Sequence, residues 1–419
     1  SNDILPSPIA TLTTGITPQM TQQDGITEAE LASLLMSEIF TPDTIAVGYN
    51  NIRFDDEFIR NLFFRSFYDA YAWAWADNRS RWDLLDVVRM TRALRPGGIK
   101  WTERDGKQSN KLTDLSSANG LEHLQAHDAL SDVLALISVA RLLKAKQPQI
   151  FDYLLGMRDK KQVERLVMAG EPFVYASGRY SHPSKTTVAV ALGKTPQGAL
   201  VYDLRVDPAA FLAMSEAELQ AHLQVPYKER PEGYVPLPVK ELKFNRCPAV
   251  APLSVLKPDD LKRLGLEMRQ IQANLGALAQ DKTFVSRVEA ALERPPFPPS
   301  SDPDRTLYDS FVPDADKPKM EAVRNANEQT LSDFNPEFND ERLAKMLPLY
   351  KARNFPRSLT KSEAAIWHDY RTEKIKARLP EFQKEMAIAM RSLSDQPGVS
   401  DHQELLLEEL ALWLEDITA

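Results

Sequence analysis

The sequence predicts three successive domains: an α/β domain, a small antiparallel β domain with appended helices, and a helical C-terminal domain. In residues 1–148, short apolar runs alternate with segments of helical periodicity, which is typical of α/β folds. In residues 149–294, short strand candidates are separated by turn residues. Prolines crowd residues 294–301, which excludes a helix there and favours a stiff linker; residues 302–419 then have helical patterns almost throughout.

The first domain begins with a helix signal. Thr27 and Glu30 form a capping box, and an apolar face follows at Leu31, Leu34, Leu35 and Ile39. Residues 44–49 are short and apolar, as expected for a buried parallel strand. Apolar spacing predicts further helices that follow Phe54, run from Asp83 into Arg92, end at the C-cap candidate Gly120, and pass through residues 129–140.

The second domain has a strand pattern. Turn residues at 193–198 separate two of its strand candidates, and a helix is predicted after Pro258. This arrangement indicates a small antiparallel barrel or sheet. The predicted strands cover residues 173–177, 187–192, 200–204 and 239–244.

The composition is that of a globular protein, with 43% hydrophobic and 26% charged residues over 419 positions. The longest apolar runs are too short to span a membrane, and the N-terminus does not resemble a signal peptide. Cys247 is the single cysteine, so an internal disulfide and a thiolate metal cluster are both excluded. We therefore expect a reducing, cytoplasmic location.

The charge distribution leaves two interpretations open. A net charge of −8 argues against attraction to nucleic acid over the whole surface, but a local basic face can still attract a polyanion. Residues 79–111 contain nine Lys/Arg and four acidic residues, and Trp82 and Trp101 in this stretch could stack on bases. A solvated surface with two core tryptophans is the other explanation, and composition alone favours it.

Two acidic motifs carry candidate metal ligands. Asp55 closely follows the predicted strand in Asn51-Ile52-Arg53-Phe54-Asp55, and Asp132 ends the motif His127-Asp128-Ala129-Leu130-Ser131-Asp132. Carboxylates are the hard oxygen ligands that Mg²⁺ prefers, and pairs of Mg²⁺ ions promote phosphodiester hydrolysis. An imidazole titrates close to neutral pH, so His127 suits a base that takes a proton from water. Together the motifs predict a metal-dependent phosphodiesterase site.

Each of these residues also has an ordinary structural explanation. Asp55 could cap the helix that begins there, His127 could be an N-terminal helix residue, and Asp132 could be a surface acid in a first helical turn. For any one residue alone the structural explanation is the commoner one. The order and pattern of all three together favour the site.

The motifs resemble those of a known superfamily. NxxFD followed later by HxALxD resembles the DEDDh exonucleases, and Thr14-Gly15-Ile16-Thr17 fits the short motif that precedes their first helix. Longer segments in all three predicted domains resemble bacterial exonuclease I. These segments lie at residues 48–57, 80–87, 118–123, 147–154, 245–248 and 352–356.

The resemblance implies both an architecture and an activity. The architecture is a ribonuclease H-like exonuclease domain, an SH3-like β domain and a C-terminal helical domain around a groove for single-stranded DNA. The activity is 3′→5′ degradation of that DNA to mononucleotides in DNA repair and recombination.

Site roles also follow from the resemblance. Asp55 and Asp132 would bind two Mg²⁺ ions, with Mn²⁺ as an alternative, and His127 would be the general base. Asp83 and Asp86 are explained more simply as caps or structural partners. The candidates for DNA contacts are Asn51, Arg53, Trp82 and Trp101.

One motif of the family has no counterpart here. Relatives carry an Asp-x-Glu on a first, central strand, whereas this chain opens at Ser1-Asn2-Asp3. Without those carboxylates Asp55 and Asp132 predict an incomplete metal site, and a sheet without that strand would expose apolar edges. We therefore expect the native polypeptide to be longer, and we hypothesise that residues 1–419 alone are not an active nuclease although the gene product is.

A protein partner is implied as well. Exonuclease I enzymes dock the acidic C-terminal tail of single-stranded DNA-binding protein, and Arg95, Tyr153 and Lys257 fall on matching positions. Lys257 replaces a family arginine, which puts bidentate carboxylate binding there in doubt. Arg95 on a solvated basic face is an equally open explanation. We expect a monomer, because three domains around one groove need no second copy.

Two other functions stay open at this point. One is a DEDDh ribonuclease, against which the two trailing domains argue. The other is a non-catalytic protein that binds single strands or the partner protein, if the absence of Asp-x-Glu is genuine. The resemblance gives no account of the segment Arg179-Tyr180-Ser181-His182.

Overall fold

The computed structural model describes residues 2–121, 129–295, 298–394 and 401–418. The chain divides into two compact units. The sheet unit comprises residues 45–54 and 80–297, and the helical unit comprises residues 1–44, 55–79 and 298–419. The division into domains 1–148, 149–294 and 302–419 stays a prediction.

The described residues form the following elements. The helices are α1 (Pro8–Thr14), α2 (Pro18–Asp24), α3 (Glu28–Leu34), α4 (Asp55–Arg65), α5 (Leu84–Leu94), α6 (Leu112–Ala118), α7 (Ala129–Lys146), α8 (Pro148–Gly156), α9 (Lys160–Val167), α10 (Ala209–Leu212), α11 (Glu216–Gln224), α12 (Pro258–Leu264), α13 (Met268–Gln280), α14 (Phe284–Leu292), α15 (Lys317–Asn325), α16 (Glu328–Leu331), α17 (Glu341–Asn354), α18 (Lys361–Ser394) and α19 (Asp401–Thr418). The strands are β1 (Ile45–Gly48), β2 (Ser80–Asp83), β3 (Thr102–Arg104), β4 (Lys107–Ser109), β5 (Phe173–Ala176), β6 (Thr186–Lys194), β7 (Gly198–Asp203), β8 (Val239–Lys243) and β9 (Ala249–Pro252).

Two strands of the sheet unit form a parallel pair. β1 is the predicted strand, and it pairs with β2 in a register that sets Gly48 opposite Asp83. β2 is absent from the predicted elements because its four residues include an arginine and an aspartate and show no apolar run. The carboxyl ends of β1 and β2 therefore lie side by side.

The antiparallel sheet of the same unit has five strands in the order β8-β7-β6-β5-β9. The strands predicted at 173–177, 187–192, 200–204 and 239–244 are confirmed as β5 to β8, and the helix after Pro258 is confirmed as α12. β9 is an addition: it pairs with β5, although its sequence is only Ala249-Val250-Ala251-Pro252. Its proline sits at the strand end, as expected on an edge strand.

Helix α5 is the centre of the core of the sheet unit. Leu84, Val88 and Met90 are fully buried, and the helix packs on β5, β6 and β9. Trp82 and Leu115 belong to the same apolar cluster. Eight of its eleven residues are buried, so the helix is covered on several sides, as its central position requires.

The helical unit has two separate cores. One packs Phe64, Phe67 and α17 residues such as Tyr350, whose ring meets Phe67 edge-on at 5.2 Å. The other packs Leu5 with residues of α18 and α19. The Trp413 indole N–H in this second core donates to the Ile4 carbonyl over 3.1 Å. The first residues of the chain are thus held by its last helix.

Several local sequence signals are confirmed. The Thr27–Glu30 capping box is formed at the start of α3. Gly120 takes a positive φ of 65° just after α6, a conformation that glycine adopts without a steric penalty. The predicted apolar face of α3 is a different matter, because Leu31 and Leu34 stay largely exposed and Ala32 is the buried residue. The apolar spacing correctly predicted the helix, but it did not predict which side of the helix packs against the protein.

The sheet unit presents an apolar surface to solvent. Val47 on β1 is 44% exposed. Helix α7 exposes a row at helical spacing that begins with Leu130, 64% exposed, and continues through Val133, Leu134 and Ile137. Among the described helices, none combines the length and hydrophobicity needed to cross a membrane.

The single cysteine is buried next to β2. The Cys247 thiol donates to the Arg81 carbonyl over 3.0 Å. Burial raises the pKa of Cys247 to about 12, so the thiol stays protonated at neutral pH.

Many cations of the basic stretch 79–111 serve the interior. The Arg81 guanidinium donates to the Asn245 carbonyl over 2.7 Å, and Arg92 donates to the carbonyls of Ser109 and Thr102 over 2.7 and 3.0 Å. Both arginine side chains are buried. The lysines at 100, 107 and 111 and Arg104 remain exposed. The stretch is thus neither a solvated surface throughout nor a continuous basic face.

A buried ion network closes the helical unit. Arg353 donates to Asp3 over 2.7 Å and to both Asp304 oxygens over 2.8 and 2.7 Å, and Lys374 reaches both acids over 2.7 and 2.8 Å. Burial raises the pKa of Asp3, but the charges and hydrogen bonds of Arg353 and Lys374 outweigh it and lower the pKa to about 2. The same two cations hold the pKa of Asp304 below its usual range, against the effect of burial.

This network makes the fold sensitive to acid. A carboxyl group with a folded pKa below its unfolded value stabilises the fold above the unfolded value and loses that contribution as the pH falls through the folded pKa. For Asp3 the loss runs from about pH 4 to about pH 2. We predict that Asp3→Asn destabilises the protein at neutral pH by roughly 2 kcal/mol and flattens the pH dependence of the melting temperature over that window.

Thermal unfolding followed by circular dichroism at several pH values measures both effects. Asp314→Asn is the control, because Asp314 forms an exposed ion pair with Lys317 that contributes little to stability. Equal losses of melting temperature in wild type and Asp3→Asn between about pH 4 and about pH 2 would contradict the prediction.

Candidate active site

The carboxylate of Asp83 organises the ends of the parallel strands. Its Oδ1 accepts the backbone N–H of Leu85 over 3.0 Å and that of Asn50 over 2.8 Å. Asp83 is therefore the N-cap of α5 and also fixes the turn that follows β1. Burial raises the pKa of Asp83, and these N–H groups partly offset the rise. The structural explanation of Asp83 is confirmed.

Asp86 has a structural partner as well. Its carboxylate pairs with Arg89 one turn further along α5, at 2.5 Å. Asn51 and Arg53 lie in the 3₁₀ turn held by Asp83, with Asn51 buried and Arg53 exposed. The structure therefore brings together the candidate DNA contacts Asn51 and Arg53 with Asp83 and Asp86.

Asp55 is the first residue of α4 in the helical unit. Three acids occupy the first turn of this helix. Asp56 is buried and lies 3.6 Å from Arg60, and Glu57 pairs with Arg60 at 2.8 Å. Asp55 is the exposed acid of the three. Its position inside the helix differs from that of a capping residue, which precedes the first helical residue.

The HxALxD motif is only partly described. Asp132 is the fourth residue of α7 in the sheet unit and is half-buried. His127 lies outside the described residues. Asp55 belongs to the helical unit and Asp132 to the sheet unit, so the surroundings of each are described within its own unit.

The residues that the structure describes do not by themselves form a metal centre. Within residues 2–121, 129–295, 298–394 and 401–418, no group of three or more His, Cys, Asp or Glu side chains is arranged to hold a metal ion. Asp55 and Asp132 offer the carboxylate chemistry that Mg²⁺ prefers, but a complete site needs more ligands than these two.

A small cleft of about 60 Å³ lies beside the strand ends in the sheet unit. Its walls come from the turn after β1, the start of α5, and the strands β5 and β8 with their loops. It combines four cations with three carboxylates. The charged residues that line it are Arg53, Asp83, Asp86, Arg179, Glu241, Lys243 and Arg246.

Exposed aromatic rings surround Glu57 in the helical unit. The Tyr308 hydroxyl donates to the Glu57 carboxylate, and Phe311 packs on Tyr71 with ring centres 5.8 Å apart. Phe311 is 82% exposed and Tyr308 is 57% exposed. The Arg342 guanidinium holds their loop by donating to the carbonyls of Thr306 and Ser310, each over 2.8 Å. The loop thus holds two exposed rings in a fixed position. Glu57, which accepts the Tyr308 hydrogen bond, is two residues along the chain from Asp55.

The sequence interpretation missed this aromatic pair. Tyr308 and Phe311 stand alone in a polar loop, Tyr308-Asp309-Ser310-Phe311, and isolated aromatic residues at the surface are common. The only signal was their position directly after the proline linker. Their proximity to the first turn of α4 depends on tertiary contacts.

The two tryptophans of the basic stretch differ. Trp82 is 3% exposed and meets Phe151 edge-on at 5.0 Å, which leaves no ring face for a base. Trp82 is therefore a core residue, as composition favoured. Trp101 is half-buried; its N–H donates to the Pro96 carbonyl over 2.9 Å, and the Arg92 guanidinium lies 5.6 Å from its ring centre.

The three candidate partner-binding residues lie in the sheet unit. Arg95 and the backbone N–H of Lys257 both donate to Oδ2 of buried Asp260, over 3.0 and 2.9 Å. Arg95 also donates to the Val255 carbonyl over 2.9 Å. Lys257 and part of the Tyr153 ring are exposed. Arg95 is thus anchored within the protein while about a quarter of its side chain faces solvent.

Comparisons with known families follow the order of the predicted domains. Residues 2–140 match the exonuclease family, residues 158–294 the exonuclease I SH3-like domain, and residues 301–417 the exonuclease I C-terminal domain. The fold and the family matches therefore define a nuclease of the exonuclease class. The predicted combination of an α/β exonuclease domain, an SH3-like β domain and a helical C-terminal domain is confirmed.

Individual relatives are similar over the whole chain. Exodeoxyribonuclease I of Escherichia coli K12 is 38% identical over 425 aligned residues, which cover 100% of this chain and 89% of that protein. The crystal structure of E. coli exonuclease I in complex with a dA16 oligonucleotide matches with a TM-score of 0.93 and 36% identity, covering 100% of this chain and 90% of that one. The zinc-bound form of the E. coli complex with single-stranded DNA also has a TM-score of 0.93, at 35% identity and the same coverage. The chain belongs to the exonuclease I family.

Proposed function

We propose that this protein is a 3′→5′ exodeoxyribonuclease that degrades single-stranded DNA to mononucleotides by metal-assisted phosphodiester hydrolysis, in DNA repair and recombination. The main support is similarity over the whole chain to E. coli exonuclease I bound to dA16. The family matches favour this function over a DEDDh ribonuclease and over a non-catalytic binding protein. A monomer in the cytoplasm is part of the proposal.

We assign the chemistry to three residues. Asp55 and Asp132 would contribute carboxylate ligands to two Mg²⁺ ions, with Mn²⁺ as an alternative, and His127 would accept a proton from the attacking water. The zinc ion in a related E. coli structure supports a divalent metal in general. Bound divalent cations would supply positive charge at the phosphate and help to ionise water. Of the first-turn acids in α4, Asp55 is suited to this role because Asp56 and Glu57 are paired with Arg60.

We predict that, in the gene product, Asp55→Asn and Asp132→Asn each lower Mg²⁺-dependent release of mononucleotides by at least roughly 100-fold, because each removes a charged metal ligand. Both should also weaken Mn²⁺ binding, which electron paramagnetic resonance measures independently of turnover. Asp105→Asn is the matched control: Asp105 is an exposed turn residue with positive φ, which asparagine tolerates. Wild-type Mn²⁺ binding and hydrolysis in both ligand variants would refute the assignment.

We further propose that Tyr308 and Phe311 stack on bases of the bound strand. Exposed aromatic rings bind single strands without sequence preference, because every base has a π-face. The surrounding Asp309 and Asp314 disfavour phosphate contacts here, which favours base contacts instead. The loop is already held by Arg342, so little conformational entropy is lost on binding.

We predict that Phe311→Ala weakens binding of a fluorescent oligonucleotide by roughly tenfold, measured by anisotropy in EDTA so that hydrolysis does not interfere. Tyr227→Ala is the control, since Tyr227 is equally exposed but lies in the sheet unit and packs against Arg230. Abasic nucleotides near the 3′ end should weaken wild-type binding and have a smaller effect on Phe311→Ala. The same loss of affinity from abasic sites in both proteins would argue against stacking.

The tail of single-stranded DNA-binding protein remains our proposed protein partner. Arg95 and Lys257 are held side by side by Asp260 and could both face an acidic peptide. We predict that Arg95→Ala lowers the affinity for a tail peptide at least roughly fivefold, since it removes one charged hydrogen-bond donor. Fluorescence anisotropy with a labelled peptide measures this, with Arg104→Ala, on the exposed β3–β4 hairpin, as control. Unchanged affinity in a normally folded Arg95→Ala protein would exclude the docking role.

A further inference from the structure

The segment Arg179-Tyr180-Ser181-His182 forms a tightly closed loop between β5 and β6. The Ser177 N–H donates to the Lys185 carbonyl over 2.8 Å, and the Lys185 N–H donates to the His182 carbonyl over 2.9 Å. The first bond continues the antiparallel pairing of the two strands one step beyond Ala176 and Thr186, and the second closes a turn within the loop. The loop is therefore an extension of the sheet.

Two lysines hold the backbone of this loop from inside. The Lys185 ammonium donates to the Tyr180 carbonyl over 2.8 Å, and the Lys240 ammonium donates to the Arg179 carbonyl. The Lys240 nitrogen also lies 4.2 Å from the centre of the Tyr180 ring. Burial lowers the pKa of Lys240 to about 8. These contacts commit the half-buried Lys240 ammonium to support of the loop.

The buried Tyr180 side chain anchors the loop, and the neighbouring Arg179 side chain is exposed to solvent. The Tyr180 ring is buried and meets Tyr175 edge-on at 5.5 Å. Arg179, the next residue, is exposed and lines the cleft beside the strand ends. Its guanidinium is only loosely bonded within the protein, to the Glu241 carbonyl at 3.4 Å. The loop thus fixes the backbone of Arg179 while its charged end can engage a ligand.

The cations on the walls of the cleft outnumber the carboxylates, four to three. Asp83 is occupied by two backbone N–H groups, and Asp86 is paired with Arg89. Glu241 lies 3.7 Å from Lys243, a weak pairing across a partly exposed surface. The cations on its walls come from three separate parts of the sheet unit: Arg53 after β1, Arg179 between β5 and β6, and Lys243 and Arg246 at the end of β8.

We propose that these four cations form a cradle for the phosphodiester backbone of the bound strand, with Arg179 as the exposed and loosely bonded member that the loop between β5 and β6 contributes. The proposal rests on the proposed function, because the ligand is the same single strand. Phosphates are favoured over bases here because the aromatic ring in the cleft wall, Tyr175, is buried and offers no face for stacking. Arginine suits the role because its planar guanidinium matches two phosphate oxygens.

The salt dependence of binding tests the cradle. Each phosphate contact to a single strand adds about 0.7 to the slope of log affinity against log salt concentration. Arg179→Gln should therefore lower the slope by about 0.7 and weaken binding about fivefold near 0.1 M salt, measured by anisotropy with oligo-dT in EDTA. Arg179→Lys should retain the slope. Arg230→Gln is the control, because Arg230 is exposed in the same unit but stacks on Tyr227 and Tyr234.

The outcomes separate the cradle from the proposed function. If wild type binds oligo-dT and Arg179→Gln keeps the wild-type slope, the cradle is wrong and the nuclease proposal stands. If wild type does not bind a single strand at any salt concentration, the proposed substrate is wrong and the cradle fails with it. If Arg179→Gln melts at a lower temperature than wild type, the salt dependence of binding is measured on Arg53→Gln instead, because Arg53 lies on a different element. A wild-type slope in Arg53→Gln also overturns the cradle.

Discussion

The hydrogen bonds accepted by one carboxylate, Asp83, position most of what surrounds the candidate site in the sheet unit. β1 and β2 are parallel, so their carboxyl ends meet, and Asp83 ties the turn after one strand to the helix after the other. The turn carries Asn51 and Arg53, and the helix is the buried α5 on which the antiparallel sheet packs. Because the Asp83 side chain accepts hydrogen bonds from both segments, it holds the turn after β1 against the start of α5.

Charged side chains in this protein mostly brace the backbone. Arg81, Arg92 and Arg342 each donate to carbonyl groups of loops or strands remote in sequence, and Lys185 and Lys240 do the same for a single loop. Burying a cation in this manner is favourable only when its donors are well satisfied. Other cations stay at the surface, among them Lys100, Arg104 and Lys257. Arg179, which lines the cleft, is another.

Local signals in the sequence predicted the elements better than their surroundings. The Thr27–Glu30 box and Gly120 were recognisable because capping and positive φ depend on neighbouring residues alone. β9 was missed because four small residues carry no alternation, and pairing with β5 makes them a strand. The prediction of the buried side of α3 was wrong. Helical spacing identifies an apolar face but does not show which surface packs against the helix.

For the candidate site, motif order indicated the right family, but geometry decided individual roles. Asp83 could be recognised as a cap from its place before an apolar helix, whereas the burial of Trp82 depended on tertiary packing. No role was assigned to Arg179 or Phe311 from the sequence, because the contacts that define their roles come from residues far along the chain. The metal-ligand and base roles of Asp55, Asp132 and His127 stay predictions.

The buried state of Cys247 has a practical consequence. Only the thiolate reacts readily with maleimides and similar reagents, and this thiol is both enclosed and held in its protonated form. A cysteine introduced on an exposed loop would then be the sole site that takes up a dye or spin label. With two introduced cysteines, distances between chosen points become measurable in solution without first removing the native sulfur.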